Sequence, residues 1–513
     1  MKFLAKLFSI LVHRVFFVAL MIILQFAFLT VMLLYFQEHF VYFYWLSIIL
    51  ALSIVLYIIN SRSKPGYKVA WITLLLLVPI FGTFLYILLS GNRLSLRYLR
   101  KIQNIRIKQQ AALPQNPELL TIMADSNPNA ATQSRYIQNK ADSPPYINTY
   151  SQYLPSGEAK FTHLLQELKK ARRYIFLEYF IIHEGLMWDS ILEILAEKAQ
   201  AGLDIRLIYD DFGCIFSLSP RYRRKLESLG IKCIAFNRLK PIISSGMNNR
   251  DHRKIVVIDG KVGFTGGINL ADEYINAVEK FGHWRDAAIM LKGEAVWSMT
   301  VMFLAMWDYL QGIEEDYNHF KPAENEVTEN ASGFVQPFSD SPLDFEAVGA
   351  NVYLNLIGKA NRYIYIQTPY LVLDDEMISA LTLAAKSGID VRIMMPHRPD
   401  KWYVLAVSRA YYEVLQEAGV KIYEYTPGFV HAKTFVADDL YAVVGTINLD
   451  YRSLYLHFEC GCWLYNTESI ADMRADFVRT LEQCQQISLA QSRSVPFLRR
   501  LGRALLRAFG PLM

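Results

Sequence analysis

Cysteine is scarce in this sequence, and no two cysteines form a CxxC pair. Cys214, Cys233, Cys460, Cys462 and Cys484 are odd in number and their spacings do not repeat, so neither a disulfide framework nor a zinc site is indicated. Their use favours a reducing compartment, and Cys460 and Cys462, flanking one glycine, are expected in a buried strand. Net charge is also small, at +5. That is too little to argue for a nucleic-acid partner by itself. No carboxylate cluster demands a metal. No small-residue cleavage site follows the first apolar run, and further apolar runs come after it, which fits poorly with a cleaved signal peptide.

What the chain has in excess is apolar residues, 53% of the total, and most of that excess lies before residue 92. Three apolar segments, at about 15–36, 42–59 and 69–89, each approach the length needed to cross a hydrocarbon core of ~30 Å. Tyr42, Tyr44, Trp45 and Trp71 lie near segment ends, as interfacial aromatics do. Lys2, Lys6 and Arg14, then Arg62, Lys64 and Lys68, and then Arg93, Arg97, Arg100, Lys101, Arg106 and Lys108 all favour the cytoplasmic side. Pro79 and Gly82 interrupt the third segment. The expectation is two membrane spans and a re-entrant or interfacial third segment, with the catalytic part cytoplasmic. A second basic cluster, Arg493, Arg499, Arg500, Arg503 and Arg507, crowds the C-terminus. Basic clusters of this kind suit anionic lipid headgroups. There Leu498, Leu501, Leu505 and Leu506 stand at helical spacing, which fits either a helix on a membrane surface or one docked on the rest of the protein.

After a polar stretch at 102–149, strands alternate with helical segments, the pattern of an α/β fold with a largely parallel sheet. The pattern then recurs. YIYIQTPYLVLD (363–374) answers YIFLEYFII (174–182), and EAGVKIYEY answers SLGIKCIAF. Glu178 precedes His252 by 74 residues and Gln367 precedes His431 by 64. The extra length falls mainly between Phe236 and Arg250, as a loop insertion would. The chain therefore contains a duplicated unit, expected as two pseudo-equivalent lobes.

Each half reaches the same motif. HRKIVVID (252–259) and HAKTFVAD (431–438) both fit H-x-K-x4-D, and each is followed by a glycine turn and an asparagine, Asn269 or Asn448. On a strand, alternate side chains share a face, so His252 and Lys254 point one way, as do His431 and Lys433. Packed face to face, the halves would bring two imidazoles and two ammoniums to one pocket, a set suited to a phosphodiester. Lysine and asparagine would hold the non-bridging oxygens. One histidine would attack phosphorus while the other protonates the leaving alcohol and then deprotonates the incoming one. This chemistry needs no metal and no cofactor. The histidines must start in different protonation states, and Asp286 (in HWRDAAI) and Glu459 (in LHFEC) are candidates to set them. Surface charge is the bland reading of both. Asp259 and Asp438 end their strands and are expected to orient the motif rather than move protons.

These paired motifs resemble the phospholipase D superfamily. NRDHRKIVVIDG with FTGGINLADEY, GFVHAKTFVAD with AVVGTINLDYRS, and SKPGYKVAWITLLLLVPIFGTFLY are similar to the bacterial cardiolipin synthase family within it. The resemblance implies an α/β fold of two pseudo-symmetric phospholipase D-like lobes with mixed, mostly parallel sheets, preceded by N-terminal transmembrane helices. It implies a multi-pass protein of the bacterial cell membrane. The implied reaction joins two phosphatidylglycerol molecules into cardiolipin and glycerol through a phosphatidyl-histidine. It gives His252 as nucleophile, supported by Glu459, and His431 as acid/base, supported by Asp286. Gly267 and Thr446 stand where small residues, often serine, are usual. The expected organisation is a membrane region at 1–92, a basic stretch and linker at 93–150, lobes at 151–325 and 326–485, and a basic amphipathic segment at 486–513. A hydrolytic phospholipase D, another headgroup transferase, a nuclease and a non-catalytic lipid scaffold are the alternatives. Membrane segments argue against the nuclease, and intact motifs in both halves argue against the scaffold.

Overall fold

The computed structural model describes residues 14–35, 37–90, 96–238, 248–312, 315–322, 331–344 and 346–512. Lys2, Lys6 and Arg93, and most of the expected loop insertion, lie outside these residues. Two compact units are present. One comprises residues 1–93, 241–246 and 508–513, and the other residues 94–240 and 247–507.

In the first unit the apolar segments form helices Arg14–Tyr35, Gln37–Asn60, Pro65–Leu77 and Pro79–Leu89. Among the described residues no helix is long and apolar enough to cross a membrane. The expected transmembrane helices, the multi-pass location and the cytoplasmic siding that depended on them are corrected accordingly. The third segment shows one physical reason. Val78 leaves the helical region at φ −139° and ψ 68°, and Pro79 starts a new helix. Pieces of 13 and 11 residues reach only roughly 20 and 17 Å at the helical rise. The two pieces fold back on each other. A Cβ at Gly82 would lie 2.9 Å from the Leu74 carbonyl oxygen, so the close approach needs glycine there. Trp71, expected at an interface, is instead buried between the rings of Tyr67 and Tyr86.

The second unit contains the repeat. Its first sheet is built from β1 (Thr149–Leu154), β2 (Tyr174–Tyr179), β3 (Asp204–Asp210), β4 (Lys232–Phe236), β6 (Ile255–Ile258), β7 (Val262–Gly266) and β9 (Ala288–Gly293), with β5 (Arg250–Asp251) and β8 (His283–Arg285) leaving it. Its order is β1-β9-β7-β6-β2-β3-β4. The second sheet uses β10 (Phe334–Asp340), β11 (Tyr363–Gln367), β12 (Asp390–Pro396), β13 (Lys421–Tyr425), β15 (Thr434–Ala437), β16 (Tyr441–Gly445), β17 (His457–Tyr465) and β18 (Cys484–Ile487), with β14 (Gly428–Val430) apart. Its order, β10-β17-β16-β15-β11-β12-β13-β18, repeats that of the first and adds β18 at the edge.

Along the strand order of the two sheets only β2-β3-β4 and β11-β12-β13 pair in parallel, so the expectation of mostly parallel sheets is also corrected. Helical crossovers such as Leu186–Gln200 and Asp375–Lys386 link those parallel strands. The motif strands β6 and β15 turn back after only a few residues into β7 and β16, and a connection that short permits only antiparallel pairing.

Between the sheets runs the helix Val296–Gln311, buried on every side from Val296 to Asp308. Its Phe303 stacks on Phe176 of β2, and Met299 and Met302 join Ile289, Val444 and Cys462 in one core that both halves share. Cys460 and Cys462 lie buried in β17. The stretch 102–149, polar in sequence, is largely helical, and its Gln133, Ser134 and Gln138 are buried. Ser134 donates to Gln336 of β10, which satisfies polar groups inside the fold.

Two short strands cross between the halves. β5, just before His252, pairs in parallel with the start of β17. β14, just before His431, pairs in parallel with β8. These exchanges hold the two motifs in one place.

Candidate active site

Neither H-x-K sequence lies within a sheet ladder. His252–Lys254 joins β5 to β6, and His431–Lys433 joins β14 to β15. The backbone is fixed from the other half: the His252 amide donates to the Phe458 carbonyl (2.9 Å) and the His431 amide to the Arg285 carbonyl (2.7 Å). Phe458 and Arg285 each immediately precede an acidic residue. The exchange strands thus set each histidine beside a carboxylate of the opposite half. Glu459 lies 2.9 and 3.0 Å from His252 Nδ1 through its two oxygens. Asp286 Oδ2 lies 2.7 Å from His431 Nδ1. Both carboxylates are fully buried. With Nδ1 so engaged, Nε2 of each ring is left for chemistry.

Lys254 and Lys433 are equally symmetric. Each Nζ donates to the carbonyl of the histidine two residues before it. Burial lowers both, Lys254 to about 8 and Lys433 to about 7. Burial, then Lys433, lowers His431 to about 4 despite Asp286. His252 is pushed well below its ordinary value by burial, Lys254, Lys433 and His431. Burial raises Asp286, but His431 and Lys433 outweigh it and hold the carboxyl below its usual range. Burial thus disfavours the charged forms of all four groups, and a bound anion would favour them again.

The remaining sequence candidates fall into two groups. Asn269 is inside the site but committed: its Oδ1 accepts from the Ile181 amide at 3.0 Å and its Nδ2 donates to Tyr274 Oη at 2.7 Å. Asn448 is buried, and its Oδ1 has no hydrogen-bond partner among the described residues. Asp259 and Asp438 lie away from the imidazoles. Asp259 accepts three backbone amides, from Arg172 (2.8 Å), Arg173 (2.8 Å) and Tyr174 (2.9 Å), at φ +53°. Asp438 accepts those of Asn361 (2.6 Å), Arg362 (2.8 Å) and Tyr363 (3.0 Å), at φ +60°. They anchor the turn after each motif strand. Gly267 is required by space, because a Cβ there would lie 2.1 Å from Asp286 Oδ1 and 2.9 Å from the His431 carbonyl oxygen. Thr446, its counterpart, uses its hydroxyl to donate to Glu459 Oε2 at 2.5 Å.

Sequence reading missed the rings that pack on the histidines. Trp284 stands two residues before Asp286, and its ring centroid lies 5.4 Å from that of His431. His457 stands two residues before Glu459, and its ring lies 5.6 Å from His252. The shared offset was the available signal. The two positions differ in chemistry: around His431 the lining is Trp284, Tyr274 and Phe429, whereas His252 has Phe180 and the polar His457. Neither ring nitrogen of His457 has a hydrogen-bond partner among the described residues. Also missed was buried Lys160, whose Nζ donates to the Ile268 carbonyl at 3.0 Å and which burial lowers to about 7.

His252, His457 and Glu459 present possible ligand atoms within 4.8 Å of one another, a set that a cation could occupy by distance. The nearby Lys254 and Lys433 oppose a dication there and favour an anion.

Comparison with known proteins points the same way. The family described as "Cardiolipin synthase, PLD-like domain" matches residues 164–307 and 353–481, and "Phospholipase_D-nuclease N-terminal" matches residues 45–91. A cardiolipin synthase of Alkalihalophilus pseudofirmus is 35% identical over 91% of this chain and 94% of its own. Cardiolipin synthase 2 of Bacillus anthracis is 35% identical over 88% of both chains. An uncharacterized protein of Streptococcus mutans is 44% identical over 90% of this chain and 99% of its own. Among solved structures, phosphatidylserine synthase of Haemophilus influenzae superposes with a TM-score of 0.56 at 15% identity, covering 74% of this chain and 97% of its own, a likeness of fold.

Proposed function

The chain belongs to the cardiolipin synthase family with paired phospholipase D-like domains and is a phosphatidyltransferase of that type acting on lipid, and from this premise we propose that it joins two phosphatidylglycerol molecules through a phosphatidyl-histidine at His252. The observation that carries the proposal is the crossed pairing of each buried histidine with a carboxylate of the other half.

The donor lipid's phosphate enters the space between Lys254 and Lys433, which take up its charge. His252, with Glu459 holding its Nδ1–H, attacks phosphorus through Nε2, forming an N–P bond. The P–O bond to the headgroup glycerol breaks, and His431, protonated as the anion binds, gives that oxygen its proton. Asp286 favours that protonated state. Glycerol leaves. The headgroup hydroxyl of a second phosphatidylglycerol then gives its proton to His431 and attacks phosphorus. The N–P bond breaks, which restores both histidines and yields cardiolipin.

The division of labour is tested with a lipid whose headgroup is p-nitrophenol, a leaving group that needs no protonation. The His431→Ala variant should still form a base-stable, acid-labile phosphorus adduct on that substrate, yet make cardiolipin from phosphatidylglycerol at least about 10²-fold more slowly. The His252→Ala variant should form no adduct on either substrate. An adduct on His431 in the His252→Ala variant would reverse the roles.

A further inference from the structure

The helix Phe497–Ala508 presents an apolar face that the catalytic chemistry does not use. Phe497 (76% exposed), Leu498 (79%), Leu501 (47%) and Leu505 (58%) all project from it into solvent. At the helical repeat these four and Ala504 fall within an arc of about 120°, and Arg499, Arg500, Arg503 and Arg507 occupy the opposite arc. In an isolated surface helix the apolar arc would turn inward. Here the apolar arc faces solvent, and the basic arc touches the protein through Arg500 and Arg507. Arg500 pairs with Glu413 at 3.3 Å, the Arg507 guanidinium lies 4.4 Å from the Tyr411 ring centroid, and Arg493, just before the helix, pairs with Glu413 and Glu417. Ion pairs and ring contacts thus pin the helix with its apolar face outward.

We propose that this face is the contact through which the protein sits on an anionic phospholipid surface, with Phe497, Leu498, Leu501 and Leu505 entering the acyl boundary. Two observations choose this occupant. Residues 489–513 contain five arginines and no acidic residue, a charge complementary to anionic headgroups. Arg500, which flanks the apolar arc at the helical repeat, keeps 65% of its side chain exposed, within reach of lipid phosphates. The inference takes only the lipid nature of the substrate from the phosphatidyl-transfer reading. It assigns the lipid-binding role to an element outside the catalytic site.

The test uses the full chain with Leu501→Cys and one environment-sensitive fluorophore at that position, in a His431→Ala background that slows turnover. The labelled parent without Leu501→Cys gives the background from native cysteines. On vesicles of phosphatidylcholine with phosphatidylglycerol, emission should shift to the blue and be quenched by nitroxides carried on the acyl chains. Vesicles of phosphatidylcholine alone should require roughly tenfold more lipid for the same shift. In the active enzyme, Leu501→Glu with Leu505→Glu should raise the vesicle lipid needed for half-maximal rate by about tenfold. The same variant should leave the rate unchanged on short-chain phosphatidylglycerol dissolved as monomers. Absence of quenching overturns the proposal, as does an equal loss on vesicles and dissolved lipid. So does a shift that needs no lipid and grows with protein concentration, which would assign the face to a second copy. If the unmodified chain makes no cardiolipin from dissolved phosphatidylglycerol, the substrate reading fails while the fluorescence result stands separately.

Discussion

At the scale of residues, the site is organised by what burial does to charge. Lys254 and Lys433 are held near 8 and 7, so without a ligand they lose their protons across the neutral range. An anionic phosphodiester favours the charged ammoniums and draws protons back onto them. Binding is therefore strongest below about pH 7 and weakens as pH rises through about 8. Dibutyl phosphate, which keeps a single negative charge over this range, isolates the effect. Calorimetry in buffers of different ionisation enthalpy should show larger net proton uptake on binding at pH 8 than at pH 6, where the lysines are already charged and only His431 gains a proton. Lys433→Met should remove part of the uptake and weaken affinity by about tenfold or more. Uptake that is the same at pH 6 and pH 8 would contradict this account.

At the scale of elements, each motif works because a short extended segment is tied at both ends. The start of the segment is tied by the exchange strand, and the strand that follows ends in a left-handed aspartate that accepts three amides. The glycine turn after β7 is equally constrained. Gly267→Ala places a methyl 2.1 Å from the Asp286 oxygen that receives the Ala287 amide, so the carboxylate must move away from His431. The turnover number should fall by about 10²-fold, as displacements of about 1 Å do, with little change in the far-ultraviolet dichroism. Thr446→Val, which removes one hydroxyl donor to Glu459 and adds no bulk near it, should cost less. Equal losses for the two variants would show that space at Gly267 is not the limiting factor.

At the scale of the whole molecule, the two halves of the repeat share one core and one site and are expected to unfold together. Arg285 of β8 pairs with Asp476 of the helix Ser469–Leu481 at 2.5 Å, across the halves. Asp476 is 5% exposed and also accepts from Tyr153 at 3.0 Å. Arg285→Ala removes the nearer cation from that carboxylate and leaves it Tyr153 and the more distant Arg479 at 3.8 Å, at a cost of roughly 1.5–3 kcal/mol. In denaturant, the midpoint for the catalytic unit should fall while a single transition is kept. A curve split into two steps would mean that the halves are independent domains.

The duplicated H-x-K-x4-D motif, its asparagines and the matching strand patterns stand in the sequence because they are local. Strand order follows the repeat, and the small residues at 267 and 446 mark tight turns without any coordinates. The sequence alone also determined the apolar excess before residue 92, but not how far each helix runs. The break at Val78 and the packing of Trp71 arise from contacts between segments. Which acid serves which histidine is absent from any spacing. Glu459 lies 207 residues from His252, and Asp286 lies 145 from His431. Family resemblance supplied that pairing, and its physical basis is the exchange of β5 and β8 between halves. Tertiary structure alone decided that Trp284 covers one histidine and His457 the other. It alone decided, too, that the C-terminal helix leaves its apolar arc in solvent, because Glu413 and Tyr411 engage Arg500 and Arg507 only after the chain has folded.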